Sequence, residues 1–341
     1  PEDGGGFKVD FVEPLLRSKH RNFRPIDVKL GPDGAIYVVD WYNPITCHQD
    51  DFYRHPERDK THGRIWRVAK KGSSAKTPKL TKASEIDLIA ELKSDNHWRR
   101  EKAKQVLAAR SLKKLPDTVR EWEGRDLLEA VGLALWCGFE DRPLLERLLA
   151  SDDHRCRAYA ARIAGRWGHH DLLEIAAIDD HPRVRMEAVL AAGQIPEAKS
   201  VLVAASVAGR PMDRWIEYGF KQAVHHLKRH WVPAVKRGEL DFGDRGQGLA
   251  RVLGEADSKE LLGGIRRVLE DGGIERGAKV ALARVLLAVG EPKDARFALA
   301  LDPPDAGLLS ELAKLARPGF AHLDMLEKAL AAGDDAAKAA V

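Results

Sequence analysis

Cysteine is scarce. The 341 residues contain three, Cys47, Cys137 and Cys156, far apart and never in a CxxC or CxxCH pair. That excludes a disulfide framework, a thiolate zinc cluster and covalent haem attachment within these residues. No apolar run reaches the roughly 18 residues that a helical membrane span requires, so no membrane span is expected. Neither GxGxxG nor GxxxxGK[ST] occurs, which removes the usual nucleotide-binding readings. An excess of one charge is also lacking: 56 Lys and Arg face 52 Asp and Glu, leaving +4. Because the two signs are interleaved rather than sorted into a stripe, nucleic acid is not an expected partner.

What is present can build a core. Apolar residues make up 44% and charged residues 32% of the chain, which rules out global disorder. The length exceeds what one small core usually organises, so two units or one elongated array are expected. The chain opens on Pro1 rather than Met and is expected to be a section of a longer polypeptide.

Aromatic residues are few, 6% of the total, and unevenly placed: nine of the 22 fall within the first 71 residues. There Phe7 to Val12 alternates apolar and polar, as a half-buried strand does. Ile26 to Leu30 alternates likewise, Gly31-Pro-Asp-Gly34 supplies a turn, and Ala35 to Val39 returns as a β-branched strand, together predicting a hairpin. Arg64 to Val68 offers a third strand. Residues 72–84 are polar and aperiodic and read as a linker.

From residue 85 to 341 the pattern is helical and repetitive. Ser94-Asp-Asn-His-Trp-Arg-Arg-Glu-Lys-Ala103 recurs at Ser151 to Ala160 and, with one inserted residue, at Asp179 to Ala188. Arg100, Arg157 and Arg185 in these copies are 57 and 28 residues apart, which implies a further copy near Arg125 and a period that suits two short antiparallel helices. Degenerate copies follow at Asp213, Arg245 and Arg276. Asp at each turn can cap the next helix, Arg can pair with it or with a neighbour's Asp, and Ala allows close helix approach. One pair cannot bury its apolar face alone, so the pairs stack into a solenoid.

Candidate chemistry concentrates in the β segment. In an antiparallel meander, the start of one strand and the end of the next share an edge, so Arg24 and Asp27 are expected beside the long excursion from Asp40 to His62. That excursion is rich in groups that bind anions or metals, and long loops between strands are more often functional than idle. Elsewhere, His226 and His230 have an i,i+4 spacing but lack the Glu of HExxH, and read as a solvated helix face. His97, His154 and His181 recur at the repeat turn and read as structural. Asp152-Asp153 and Asp179-Asp180 read as helix caps rather than paired catalytic carboxylates.

Two resemblances follow from these residues. Asp180-His-Pro-Arg-Val-Arg-Met-Glu-Ala188 resembles the short bacterial form of the HEAT repeat. Phe23 to Ile45, followed by Arg58 to Arg67, resembles the closing part of the glucose/sorbosone dehydrogenase-like β-propeller, specifically the PVC-type membrane-bound dehydrogenase proteins. In that family a propeller precedes HEAT repeats and a c-type haem domain. The implied architecture is mainly α: a HEAT-like α-solenoid over 85–341, preceded over 1–71 by a small antiparallel β segment that forms the terminal part of a β-propeller. The implied activity is quinoprotein-like oxidation of a sugar or alcohol in the periplasm, with pyrroloquinoline quinone and Ca²⁺ as cofactors and a cytochrome c domain as partner of the solenoid. Carried onto this sequence, Arg24 and Arg64 would contact the quinone. Asp27, Asp40 and Asn43 would supply hard oxygen ligands, and His48 and His62 would abstract protons. With about one and a half blades present, this chain alone is expected to be inactive. The alternative is a non-catalytic HEAT scaffold that binds protein; a lyase-like HEAT protein acting on a bilin chromophore rests on the repeat resemblance alone.

Overall fold

The computed structural model describes residues 1–45, 55–73, 76–243, 245–256, 259–271 and 276–299. The chain is mainly helical, and among the described residues the strands lie within the first 68. It divides into two compact units, one formed by Val9–Leu144 and the other by Pro1–Lys8 together with the residues from Leu145 onward.

In the Val9–Leu144 unit the expected meander forms. Strands β3 (Pro25–Leu30), β4 (Ile36–Asp40) and β5 (Arg64–Val68) make a three-stranded antiparallel sheet in the order β3-β4-β5. Val28 lies opposite Val38, and Val38 opposite Trp66, so these three leave the sheet on one face. The turn works as its residues suggest: Gly34 takes a left-handed φ of +77° and the N–H of Gly31 reaches the carbonyl of Ala35 at 2.8 Å. Phe7 to Val12 does not form the expected strand. Val9, Phe11 and Val12 are largely exposed; alternation without a surface to cover gives no reason to extend. Among the described residues the strands close into neither a barrel nor a propeller.

The helices of this unit are α1 (Glu85–Glu91), α2 (His97–Ala109), α3 (Asp117–Arg120) and α4 (Gly124–Cys137). Helix α4 occupies the place of the copy expected near Arg125. Within 72–84 the chain makes a 3₁₀ turn that buries Leu80, while Arg110 donates to the carbonyls of Thr81 and Ala83. The linker is thus partly built into the helical layer. Between α2 and α4, Glu129 accepts from both Arg100 and Lys104 at 2.8 Å, which makes the burial of these charges tolerable.

The division of the chain falls inside α5 (Arg142–Leu149). Beyond it, first helices α6 (His154–Trp167), α8 (Pro182–Gly193), α10 (Arg214–His226), α12 (Gly246–Ala256) and α14 (Arg276–Val289) alternate with second helices. These are α7 (His170–Ala177), α9 (Ser200–Ala208), α11 (Lys228–Arg237), α13 (Leu262–Asp271) and α15 (Pro292–Leu299). Helix α8 packs on α6 and α10 as well as on its partners α7 and α9, the neighbour stacking of a HEAT-like solenoid. All three degenerate copies start first helices.

The repeated arginine makes the same bond in the three clearest copies. Nη1 of Arg100, Arg157 and Arg185 donates to the carbonyl six residues earlier, that of Ser94, Ser151 and Asp179 respectively. It satisfies the turn between helices, which would otherwise carry unpaired carbonyls. The caps differ in detail. Asp153 and Asp213 cap α6 and α10 through their carboxylates. Helix α8 is capped instead by His181, whose Nδ1 accepts from the N–H of Arg183 at 3.2 Å. Asp179 is thereby left to bind Arg157 of the preceding first helix, α6, at 2.7 Å.

Residues 1–8 make a hairpin of their own, β1 (Glu2–Asp3) against β2 (Gly6–Phe7), which lies across the starts of α6, α8 and α10. Glu2 meets His154, Arg183 donates to the carbonyl of Gly5, and the N–H of Gly5 reaches Asp213 at 2.6 Å. The approach needs glycine: a Cβ on Gly6 would fall 2.6 Å from the Trp215 ring.

Candidate functional site

The sheet's polar centre is Asp40, at the end of β4, with no solvent exposure of its side chain. Its Oδ1 accepts from the N–H of Arg24 at 2.8 Å and of Tyr42 at 2.9 Å. Its Oδ2 accepts from Nε of Arg64 at 3.0 Å and from the indole of Trp66 at 2.8 Å. Burial pushes the carboxyl's pKa up, but these four donors outweigh it and hold the group below the ordinary carboxylate range. Register explains the convergence. Asp40 lies opposite Pro25 on one side and Arg64 on the other, so the adjoining loops pass its side chain.

Around it the other groups are committed too. The Arg24 guanidinium donates to the carbonyls of Phe23 at 2.9 Å and Pro44 at 3.2 Å. That of Arg64 covers the rings of Tyr42 at 4.2 Å and Trp66 at 4.9 Å. Tyr42 takes a left-handed φ of 54°, a conformation costly for a bulky residue and sustained by its N–H bond to Asp40. Asn43, buried, accepts from the N–H of Ile45 at 3.1 Å and donates to the carbonyl of Asp59 at 3.4 Å.

The expected site residues are therefore only partly brought together. Arg24, Asp40, Asn43 and Arg64 share one cluster. Asp27 does not join it: it lies opposite Val39, whose side chain leaves the sheet on the other face from Asp40, and it pairs with Lys29 at 3.0 Å. His62 is exposed at the cluster's rim, edge-on to Tyr42 with ring centroids 6.2 Å apart. Its Nδ1 sits 2.9 Å from Asp59, an arrangement that orients an imidazole. His48 lies outside the described residues, as does Cys47.

This donor set does not fit a Ca²⁺–quinone centre. Ca²⁺ wants six to eight oxygen ligands, whereas both oxygens of Asp40 are taken by protein donors, the Asn43 oxygen holds a backbone N–H, and Asp27 is on the other face. Arg24 directs its guanidinium to two protein carbonyls and Arg64 donates to Asp40, while Nε of Arg24 is buried without a hydrogen-bond partner among the described residues. The cluster ties the excursion down at both ends.

The Asp59 carboxyl is held down to about 2, first by the N–H of Thr61 and, against the opposing effect of desolvation, by the N–H and ring of His62. A depressed carboxyl stabilises the fold above its unfolded pKa of about 4 and loses that contribution as pH falls through its folded value. Carboxyl NMR titration should find Asp59 still ionised at pH 3; a midpoint near 4 would show that the turn does not hold it.

A second feature lies in the solenoid. Between α6 and α8 an open cleft of about 820 Å³ is lined by Arg162, Gly165, Arg166, Arg183, Glu187 and Leu190, among others. Arg162 and Arg183 both pair with Glu187, at 2.7 and 2.6 Å, while Arg166 is exposed. Three cations and one anion leave the walls basic. A smaller cleft between α8 and α10 shares Leu190 and Gln194 and extends to His226. His226 ends α10 and His230 belongs to α11, so these two do not share a continuous helix face.

Sequence reading overlooked Trp66 and Tyr42 as partners in the Asp40 cluster; strand alternation, which puts Trp66 on the same face of β5 as Arg64, was the signal available for the first. It also overlooked the hairpin at 1–8, for which Gly4-Gly-Gly6 was the one available signal.

A family model described as a domain of unknown function (DUF7133) matches residues 8–72. No curated protein and no solved structure matches the chain.

Proposed function

We propose that this chain is the docking section of a periplasmic quinoprotein-type sugar or alcohol dehydrogenase, and that its solenoid receives the electron-accepting c-type haem domain. The basic cleft between α6 and α8 carries this reading. A concave surface of one sign steers and orients a partner of the other sign, so the partner's contacting face is acidic. The β segment contributes structure here, since the charged groups of the Asp40 cluster are engaged with the protein. The dehydrogenase context rests on the resemblance of Phe23 to Arg67, a stretch that lies within the residues matched by the family model. Quinone and Ca²⁺ are assigned to parts of the enzyme other than the Asp40 cluster.

Arg166 is the position to test, because it is exposed and its reversal opposes no buried group. Arg166→Glu should weaken binding of the isolated haem domain at least about ten-fold at low salt, and rising ionic strength should weaken the parent interaction similarly. Titration followed by the haem absorbance reads both. Equal affinity of variant and parent at every salt concentration would remove the cleft as the docking site.

A further inference from the structure

Among the described residues one group of side chains brings together the donor types of a transition-metal site: Glu2, His154 and His181, whose ligating atoms all lie within 4.8 Å of one another. It shares no side chain with the Asp40 cluster or with the lining of the arginine cleft. Three elements supply it: strand β1, the start of α6 and the cap of α8. The two imidazoles come from equivalent turns of consecutive repeats and stack with centroids 3.6 Å apart and planes inclined by 15°; a nitrogen lone pair lies in its ring plane, so sharing one ion requires the two rings to unstack by rotation about their side-chain torsions. The Glu2 carboxylate faces Nε2 of His154 at 3.0 and 3.1 Å.

The surrounding charges favour a cation. Arg155 pairs with Asp153 at 2.8 Å, Arg157 with Asp179 at 2.7 Å, and Arg183 with Glu187 at 2.6 Å. These three guanidinium groups are each paired with a carboxylate, Arg183 sharing Glu187 with Arg162, and with neutral imidazoles the group itself keeps the single negative charge of Glu2. Two imidazole nitrogens and one carboxylate oxygen suit a borderline divalent ion of the zinc class, and not Ca²⁺ or Mg²⁺, which take oxygen ligands.

We propose that Glu2, His154 and His181 bind one Zn²⁺, with water completing the coordination, and that the ion clamps the N-terminal hairpin to two successive repeats.

Ligation exacts something from α8. Nδ1 of His181 accepts the N–H of Arg183. If Nδ1 takes the metal, that lone pair is lost to the cap. If Nε2 takes it, the ring proton moves to Nδ1, which then no longer accepts. In either case the cap is surrendered, so binding is weaker than at a closed four-ligand site, and the Arg183 amide is released when Zn²⁺ binds.

The test uses the full chain without a histidine tag. Isothermal titration with ZnCl₂ should give one site per chain and a raised unfolding midpoint. Glu2→Gln and His154→Gln should each weaken that site at least about ten-fold. His181→Asn should do the same while preserving folding without metal, because Asn is itself a strong N-cap. His225→Gln, whose ring contacts Glu255, serves as the control and should bind like the parent. Hydrogen exchange at the Arg183 amide should speed up with Zn²⁺ in the parent and not in His154→Gln. Failure of the parent to bind Zn²⁺, or binding of equal strength in all three variants, overturns the proposal.

Discussion

Asp40→Ala is expected to melt the three-stranded sheet and the loops around it. The substitution strands the Arg64 guanidinium, the Trp66 indole and the N–H groups of Arg24 and Tyr42, all of which donate to one buried carboxylate. Removing one partner of a buried ion pair costs about 3–5 kcal/mol, because the other is left uncompensated. Asp40→Asn offers a contrast: it keeps an acceptor but loses the charge, and its added N–H groups face donors, so it should recover only part of the loss. Denaturant unfolding monitored by Trp fluorescence, with limited proteolysis near residues 55–63, separates the two. If Asp40→Ala resists protease like the parent and keeps its unfolding midpoint, the cluster does not anchor the excursion.

Gly248→Ala should show the second large effect, in the solenoid. Helix α12 crosses α9 so closely that a Cβ on Gly248 would fall 1.9 Å from the carbonyl oxygen of Ala205 and 2.5 Å from its carbon. Both obstacles are backbone, which cannot rotate aside as a side-chain tip can. In an ordinary exposed helix the change would help, since alanine is the better helix former by up to about 1 kcal/mol. Here overpacking reverses the sign and should cost about 1–3 kcal/mol or more. Gly254→Ala in the same helix is the matched control: no atom lies within 4 Å of its would-be Cβ, and it should be neutral or stabilising. Thermal unfolding of the pair reads the difference, and equal midpoints would mean that the two helices do not meet closely.

The helical repeat was legible because its signals are local. In the three clearest copies an Asp or Asn before the first helix, an arginine at a fixed place inside it, and alanine where neighbours meet can be read without knowing the fold; the β3-β4-β5 meander was legible from alternation and a Gly-Pro-Asp-Gly turn. What could not be read was which long-range partner each polar group would find. Asp40, Asn43 and Arg64 have the composition of a cofactor site, and the same composition satisfies a buried hub. Only the register, which sets Arg64 opposite Asp40 and sends Asp27 to the other face, separates the two. The repeated histidines show the converse. His154 and His181 follow a structural pattern, yet the hairpin at residues 1–8, more than 140 positions away, brings a carboxylate to them. Stretches such as Phe7 to Val12 mislead for a related reason, since alternation signals a strand only where something covers its apolar face.

Docking through the solenoid is tested most directly by hydrogen exchange of the full chain with and without the c-type haem domain. Amides in α6 and α8 that border the arginine cleft, around residues 162–166 and 183–191, should slow on binding, and Arg166→Glu should abolish the slowing. Protection confined to residues 23–45 and 55–68, with α6 and α8 unchanged, would contradict the account and return the β segment to the centre of function.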